Sequence, residues 1–454
     1  MVLWTILTSA VSGNTDSLSL PAYLEMIGSN YPLIKKANLF DEFSEAYTLK
    51  GRGVLDAKIN SDFETKNFAG SNYFTVWQTE LKVPTRLPLD FSFGYENNSG
   101  DFLNEESSVP SNGLFYGTIN LSLVRGLMFD EQRYSMQSAE LKGIKSQIDK
   151  DVLTREILFQ AIQSYLGWAA AFHKNTILEN FRNNVQARHQ FVVELYINGD
   201  KPAIDTIEST VNLNTATKIY LDSENDLAIK KQKLVMFLWD ENGNPLDLNN
   251  TVRPEAFTSL LLRLGELATI ENAIFSNDPS LRKLENEMDQ LKLNNRIERE
   301  YLKPRVDLKY NTLVNLGKEN FSPSLSLNDY KYGIKVEVPI QNRKTRGELR
   351  LNQALVDQVA LEQLHYQQQL NNKYMVLTKT RFIQEDIMDV VIEKIDNSNT
   401  LYYAEVLKFD LGESSVFLLN QRERKLLEAR MEMIKSYYSL SSILNDLYFL
   451  KIGQ

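Results

Sequence analysis

The sequence predicts an α+β membrane protein with an internal duplication, each half joining a short β-section to a very long antiparallel helical hairpin. Three observations carry this prediction: proline-free runs with helical periodicity, short stretches of strict alternation, and landmarks that recur in the same order in both halves.

The helices come first, because they account for most of the chain. No proline lies between Pro110 and Pro202, and none follows Pro339. Proline removes a backbone donor and clashes with the preceding turn, so these regions are free to be helical. From Glu131 to Tyr196 apolar residues recur every three or four positions, among them Leu141, Ile144, Ile148, Leu158, Ile162 and Tyr165. Such a run makes a rod of roughly 100 Å. A second rod is expected from Arg343 to Phe409, and each returns after a short break, over Ala203–Trp239 and Ser414–Leu450.

The proline-bearing regions alternate instead. In LDFSFGYE, Leu89, Phe91, Phe93 and Tyr95 point one way and Asp90, Ser92, Gly94 and Glu96 the other. Ile119 to Leu123, Val306 to Tyr310 and Tyr332 to Val338 repeat the period of two, which is a strand signal.

The duplication rests on three paired landmarks. NYPLIKKA (30–37) matches NDPSLRKL (277–284) at a spacing of 247, and Ile119, Leu121 and Leu123 match Ile334, Val336 and Val338 at 215. ELYINGDKPAIDTIE matches EVLKFDLGESSVFLL with Gly199 on Gly412, at 213. The fall from 247 to 215 leaves 32 extra residues in the first copy, about one strand pair. The candidates are Tyr73–Val83 and Leu87–Glu96, joined by the Pro84–Pro88 turn. The expected organisation is therefore a truncated signal peptide (1–16), a first repeat (17–245) with its extra strand pair at about 73–96, an equatorial linker (246–264) and a second repeat (265–454).

Composition narrows the function. Lys+Arg 50 against Asp+Glu 59 gives a net charge of -9 with no basic stripe, which argues against a nucleic-acid partner. Cysteine is absent, so disulfides, thiolate metal sites and a Cys nucleophile are excluded. MVLWTILTSAVSG reads as the back half of a secretory signal whose basic start is missing. No other apolar run is long enough for a membrane helix, so a membrane role falls to the strands. One apolar and one polar strand face suit a closed barrel in lipid around a wet lumen. The long apolar stripes of the rods need neighbouring copies to cover them, so oligomerisation is expected.

These landmarks resemble the TolC-type outer-membrane efflux family over about Leu18 to Gly453. They are an Asn-x-Pro step after a helix at Asn30–Pro32 and Asn277–Pro279, strands leading into rods near Leu123 and Val338, and aromatic-x-x-Gly breaks at Tyr196–Ile204 and Phe409–Val416. The resemblance implies a homotrimer with a transmembrane β-barrel continued by a periplasmic α-barrel. It also implies a periplasmic adaptor (membrane fusion) protein, an inner-membrane efflux transporter and outer-membrane lipid as partners. The breaks would be the tips that dock the adaptor, through Gly199, Asp200, Lys201 and Pro202 and through Gly412, Glu413 and Ser414.

The family often constricts its periplasmic end with aspartates six and nine positions after the second-copy glycine, where this chain has Leu418 and Gln421. An apolar constriction by Leu418 is one alternative, and a tether through Asp205, the matching first-copy position, is another. An aspartate favoured by the helix dipole explains Asp205 equally well. The extra strand pair departs from the family's two strands per copy, and enlarging the barrel, lying beside it and folding into the lumen all stay open. The Arg343, Lys344, Arg346 and Arg350 cluster would lie near inner-leaflet headgroups or form a solvated face. His173, His189 and His365 show no paired ligand spacing, and no phosphate loop, nucleophile elbow or catalytic carboxylate pair is present. The expected protein is a passive conduit without cofactor. A coiled-coil scaffold, periplasmic or cytoplasmic, and a type I secretion duct are the alternatives.

Overall fold

The structure, a computed structural model, describes residues 17–268, 277–314 and 328–451. The expected signal segment and most of the helical turn before Asn277 lie outside the described residues. In chain order the elements are β1 (Ser17–Leu18), α1 (Leu20–Asn30), α2 (Pro32–Arg52), β2 (Lys58–Phe68), β3 (Ser71–Val83), β4 (Leu89–Ser99) and β5 (Leu114–Ser122). Then follow α3 (Glu131–Ile197), α4 (Ala203–Val235), β6 (Arg253–Pro254), α5 (Phe257–Ala268), α6 (Pro279–Tyr301), β7 (Arg305–Val314), β8 (Tyr330–Glu337), α7 (Arg343–Asp410) and α8 (Val416–Lys451).

The two rods are thus single helices of 67 and 68 residues, ending within a residue of the sequence expectation. Two helices were not expected. α2 and α6 fill the space between each Asn-x-Pro step and its strands, and each begins at the proline of that step, where a missing N–H costs nothing. The step therefore starts a helix of 21 or 23 residues rather than leading straight into a β-section.

Contacts divide the chain into two compact units. The first takes the described residues within 1–39, 149–281 and 365–454. Its core gathers α1, the middle of α3, the end of α4, α5 and the end of α8 around the fully buried Tyr23, Tyr165 and Trp168. Full burial of a large apolar side chain contributes about 1.5–3 kcal/mol. The tyrosine hydroxyls are satisfied there: Tyr165 donates to the Leu18 carbonyl at 2.6 Å, and Tyr23 to that of Leu234 at 3.3 Å. Burial raises both phenols well above their ordinary range. The same unit holds a buried anion. Asp278 receives the Arg155 guanidinium at 2.7 Å and the Tyr366 hydroxyl at 3.2 Å, and caps α6 by accepting from the backbone of Ser280 at 2.9 Å.

The second unit takes residues 40–148 and 282–364. Phe129, just before α3, packs on Leu293 and Ile297 of α6, and Tyr134 of α3 donates to Asn294 at 2.9 Å. Its six strands form one antiparallel sheet in the order β2-β3-β4-β5-β7-β8. Four strands precede the first rod and two precede the second.

Candidate functional site: helix reversals and an inverted sheet

Each long helix ends in the same way. Gly199 takes φ +85° and Gly412 φ +76°, a region that only glycine enters cheaply. At the first reversal Gly199 N–H donates to the Tyr196 carbonyl at 3.0 Å and Asp200 N–H to Leu195 at 2.9 Å; at the second, Gly412 donates to Phe409 at 3.0 Å and Glu413 to Lys408 at 2.9 Å. Both pairs are a Schellman cap, which satisfies carbonyls that a helix end leaves free. The next helix begins four residues after the glycine in both cases, at Ala203 and Val416. Pro202 sits at the N-cap of α4 rather than inside its first turn, and its carbonyl accepts from Asp205 N–H at 3.1 Å. Ser415 takes the capping role at α8, its hydroxyl accepting from Leu418 N–H at 3.3 Å.

The reversals lie side by side, because the Phe191 and Phe409 rings meet at 6.1 Å between centroids. A Cβ added at Gly199 or Gly412 would touch nothing within 4 Å, so both tips are open to a visitor. Lys201 pairs with Asp205 at 3.8 Å within the first tip. Leu418 and Gln421 are exposed on the first turns of α8. Behind the tips, Glu423 of α8 receives the Arg188 guanidinium and the Asn184 amide of α3, the latter at 3.1 Å. Burial pulls the Arg188 guanidinium below its ordinary range, yet Glu423 gives it a partner. Glu405 of α7 accepts from the Ser414 hydroxyl and lies 3.6 Å from Arg422. That hydroxyl and the neighbouring cation hold its carboxyl below the usual carboxylate range.

The sheet is inverted relative to one in water. One face carries Ile59, Phe63, Trp77, Leu81, Phe93, Ile119, Tyr332, Ile334 and Val336, all exposed. No charged residue falls on that face in the registers of the six strands. The other face bears Lys58, Asp62, Glu64, Glu80, Lys82, Asp90, Glu96, Asp307, Lys309, Lys331, Lys335 and Glu337. On it Ser92, Thr118 and Asn311, aligned across β4, β5 and β7, are at most 9% exposed. Tyr116 also lies on that face, close over Gly94, and takes a hydrogen bond from Gln78 at 2.6 Å. Burying serine and threonine while exposing phenylalanine and isoleucine is the wrong way round for an aqueous protein. It suits a sheet whose outer solvent is hydrocarbon.

No protein-family model matches the sequence, and no curated protein matches it. Solved structures do. The CmeC outer membrane channel of Campylobacter jejuni superposes at TM-score 0.66 with 12% identity, over 98% of this chain and 90% of that one. The outer-membrane channel OprN gives 0.64 and 13% over 99% and 96%, and the open state of the Neisseria gonorrhoeae MtrE outer membrane channel 0.64 and 12% over 95% and 88%. The chain has the TolC-type outer-membrane channel fold.

Within this channel fold the residues singled out in the sequence fall into two groups. Gly199 to Asp205 and Gly412 to Gln421 share the paired reversals, whereas Arg343, Lys344, Arg346 and Arg350 are exposed in the first two turns of α7, directly after the sheet. Arg188, Glu405, Arg422, Glu423 and Ser415 belong with the reversals and were not singled out. RERK at 422–425 reads as an ordinary solvated charge run, and nothing local marks Glu423 as the member that turns inward. Among the described residues no cluster of His, Cys, Asp or Glu is arranged to hold a metal, and no helix is long and apolar enough to cross a membrane.

Proposed function

We propose that the chain is the outer-membrane exit duct of a tripartite efflux pump, a homotrimer that passively conducts small molecules delivered by an inner-membrane transporter. The inverted sheet carries this reading: an exposed apolar face without charge needs lipid, and a charged opposite face needs water. The outer-membrane channel fold supports it. Three copies would close the strands into a barrel and the long hairpins into a helical tube extending into the periplasm. The reversals at Gly199 and Gly412 would receive a periplasmic adaptor. With no catalytic constellation assigned, the energy for transport would come from the partners.

Extraction and electrophoresis test the reading. The protein should leave membranes only with detergent and migrate differently in SDS before and after boiling. A chain that purifies as a soluble monomer without detergent would be a helical scaffold instead.

A further inference from the structure

The sequence marks about 73–96, which are β3 and β4, as the surplus strand pair; in the sheet β4 pairs with β5, so the hairpin whose place in an assembled wall the fold class leaves open is the outer one, β2–β3. In this chain it continues the sheet without interruption, paired along β4 from Thr75–Ser99 to Val83–Phe91. It also keeps both faces in phase. Ile59, Phe63, Trp77 and Leu81 extend the apolar side, and Lys58, Asp62, Glu64, Glu80 and Lys82 the charged side. The sheet then ends on two edge strands, β2 and β8, both exposed along their whole length. Such edges need a partner strand.

The two edges fit each other. With six antiparallel strands, β2 and β8 run in opposite directions, so β8 of one copy can accept β2 of the next in the same type of ladder. Setting Lys58 opposite Glu337 puts Asn60 opposite Lys335, Asp62 opposite Gly333 and Glu64 opposite Lys331. The acidic stretch of one edge then meets the basic stretch of the other. On the opposite side Ile59 and Phe63 lie among Tyr332, Ile334 and Val336. A slip of two residues one way sets Lys58 against Lys335, and a slip the other way sets Lys66 against Lys331; like charges directly opposite destabilise a ladder.

The geometry agrees. Within one copy the row of paired residues that starts at Lys58 crosses Lys82, Ser92, Thr118 and Asn311 and ends at Lys331. Pairing Lys331 with Glu64 of the next copy therefore advances the row from position 58 to position 64 over six strands. At about 3.3 Å per residue and about 4.8 Å per strand, that slope is about 35°, at the lower end of the range for barrel strands.

We propose that β2–β3 is part of the barrel wall, so that each copy contributes six strands, and that the wall closes by β2 of one copy pairing with β8 of the next through Lys58–Glu337 and Glu64–Lys331. This rests on the reading of the chain as a trimeric outer-membrane duct. Three copies then make eighteen strands, a number whose barrels leave an aqueous channel.

The natural absence of cysteine makes a direct test available. In the full-length protein in detergent, Glu64→Cys with Lys331→Cys places two thiols on directly opposed residues, within disulfide reach. Mild oxidation is expected to convert most chains into covalent dimers and trimers that survive boiling. A second variant, Glu96→Cys with Lys331→Cys, should stay monomeric on boiled gels, because within one copy Glu96 lies three strands across and four residues along from Lys331, whose row passes through Ser92, a separation of roughly 19 Å. Efficient crosslinking of the second pair instead would make β4 the edge and exclude the hairpin from the wall. Failure of the first pair in a chain that native mass measurement finds trimeric would overturn the proposal and leave the duct reading standing. A chain that is monomeric in detergent would remove both.

Discussion

Arg188 on α3 and Glu423 on α8 form a largely buried ion pair that ties the first helical hairpin to the second just behind the reversals, with Asn184 as a further donor to the carboxylate. A buried pair of this kind contributes little by itself, but removing one partner strands a charge. Glu423→Ala is therefore expected to destabilise the fold by about 3–5 kcal/mol. Arg188→Met combined with Glu423→Leu should recover most of that loss. Thermal unfolding of the detergent-solubilised wild type and variants measures both changes.

The reversal glycines predict a separation of stability from docking. Alanine at Gly199 or Gly412 forces a side chain into the left-handed region and should cost about 1–2 kcal/mol, without any clash. Asparagine, which tolerates that region, should cost less. A bulky charged residue at either site is expected to abolish drug tolerance while the trimer still assembles. Normal efflux by both variants would remove the adaptor-docking role.

The sheet predicts a face-dependent response to charge. Phe93→Lys places a cation on the apolar face and should destabilise the membrane-embedded form by about 2–4 kcal/mol if the residue lies near mid-membrane. Asn120→Lys, on the charged face beside Asp90 and Lys309, should be nearly neutral. Urea titration in lipid vesicles distinguishes the two, and equal effects would argue against lipid on one side only.

Acid should loosen the second reversal before the first. Glu405 has a folded pKa below its ordinary value of 4.5 because Ser414 and Arg422 favour the carboxylate. The stabilisation is fully present above that ordinary value and is lost as pH falls through the lower folded value. Amide exchange at residues 412–419 should therefore accelerate on acidification relative to 199–206. Glu405→Gln should show fast exchange at neutral pH and lose the pH response.

Much of this protein was determined by the sequence alone. Proline-free periodic runs settled both rods to within a residue, since 67 or 68 consecutive residues leave helical periodicity no competitor. The glycine breaks were legible because a positive φ selects glycine, and repetition at a spacing of 213 removed the ambiguity of either alone. α6 was hard to read because its apolar residues are sparse and its surface strongly charged, whereas α2 carries Ile34, Ala37, Phe40, Phe43 and Tyr47 at helical spacing and was legible in the sequence. Tertiary structure decided what a period of two cannot say, namely which face is covered. Ser92 and Phe93 are adjacent in sequence, and only the assembled sheet shows that serine is enclosed and phenylalanine exposed. It also decided that Glu423 turns toward Arg188 and that β2 and β3 join the sheet, because both depend on neighbours more than 200 residues away or on pairing between strands, and neither leaves a local mark.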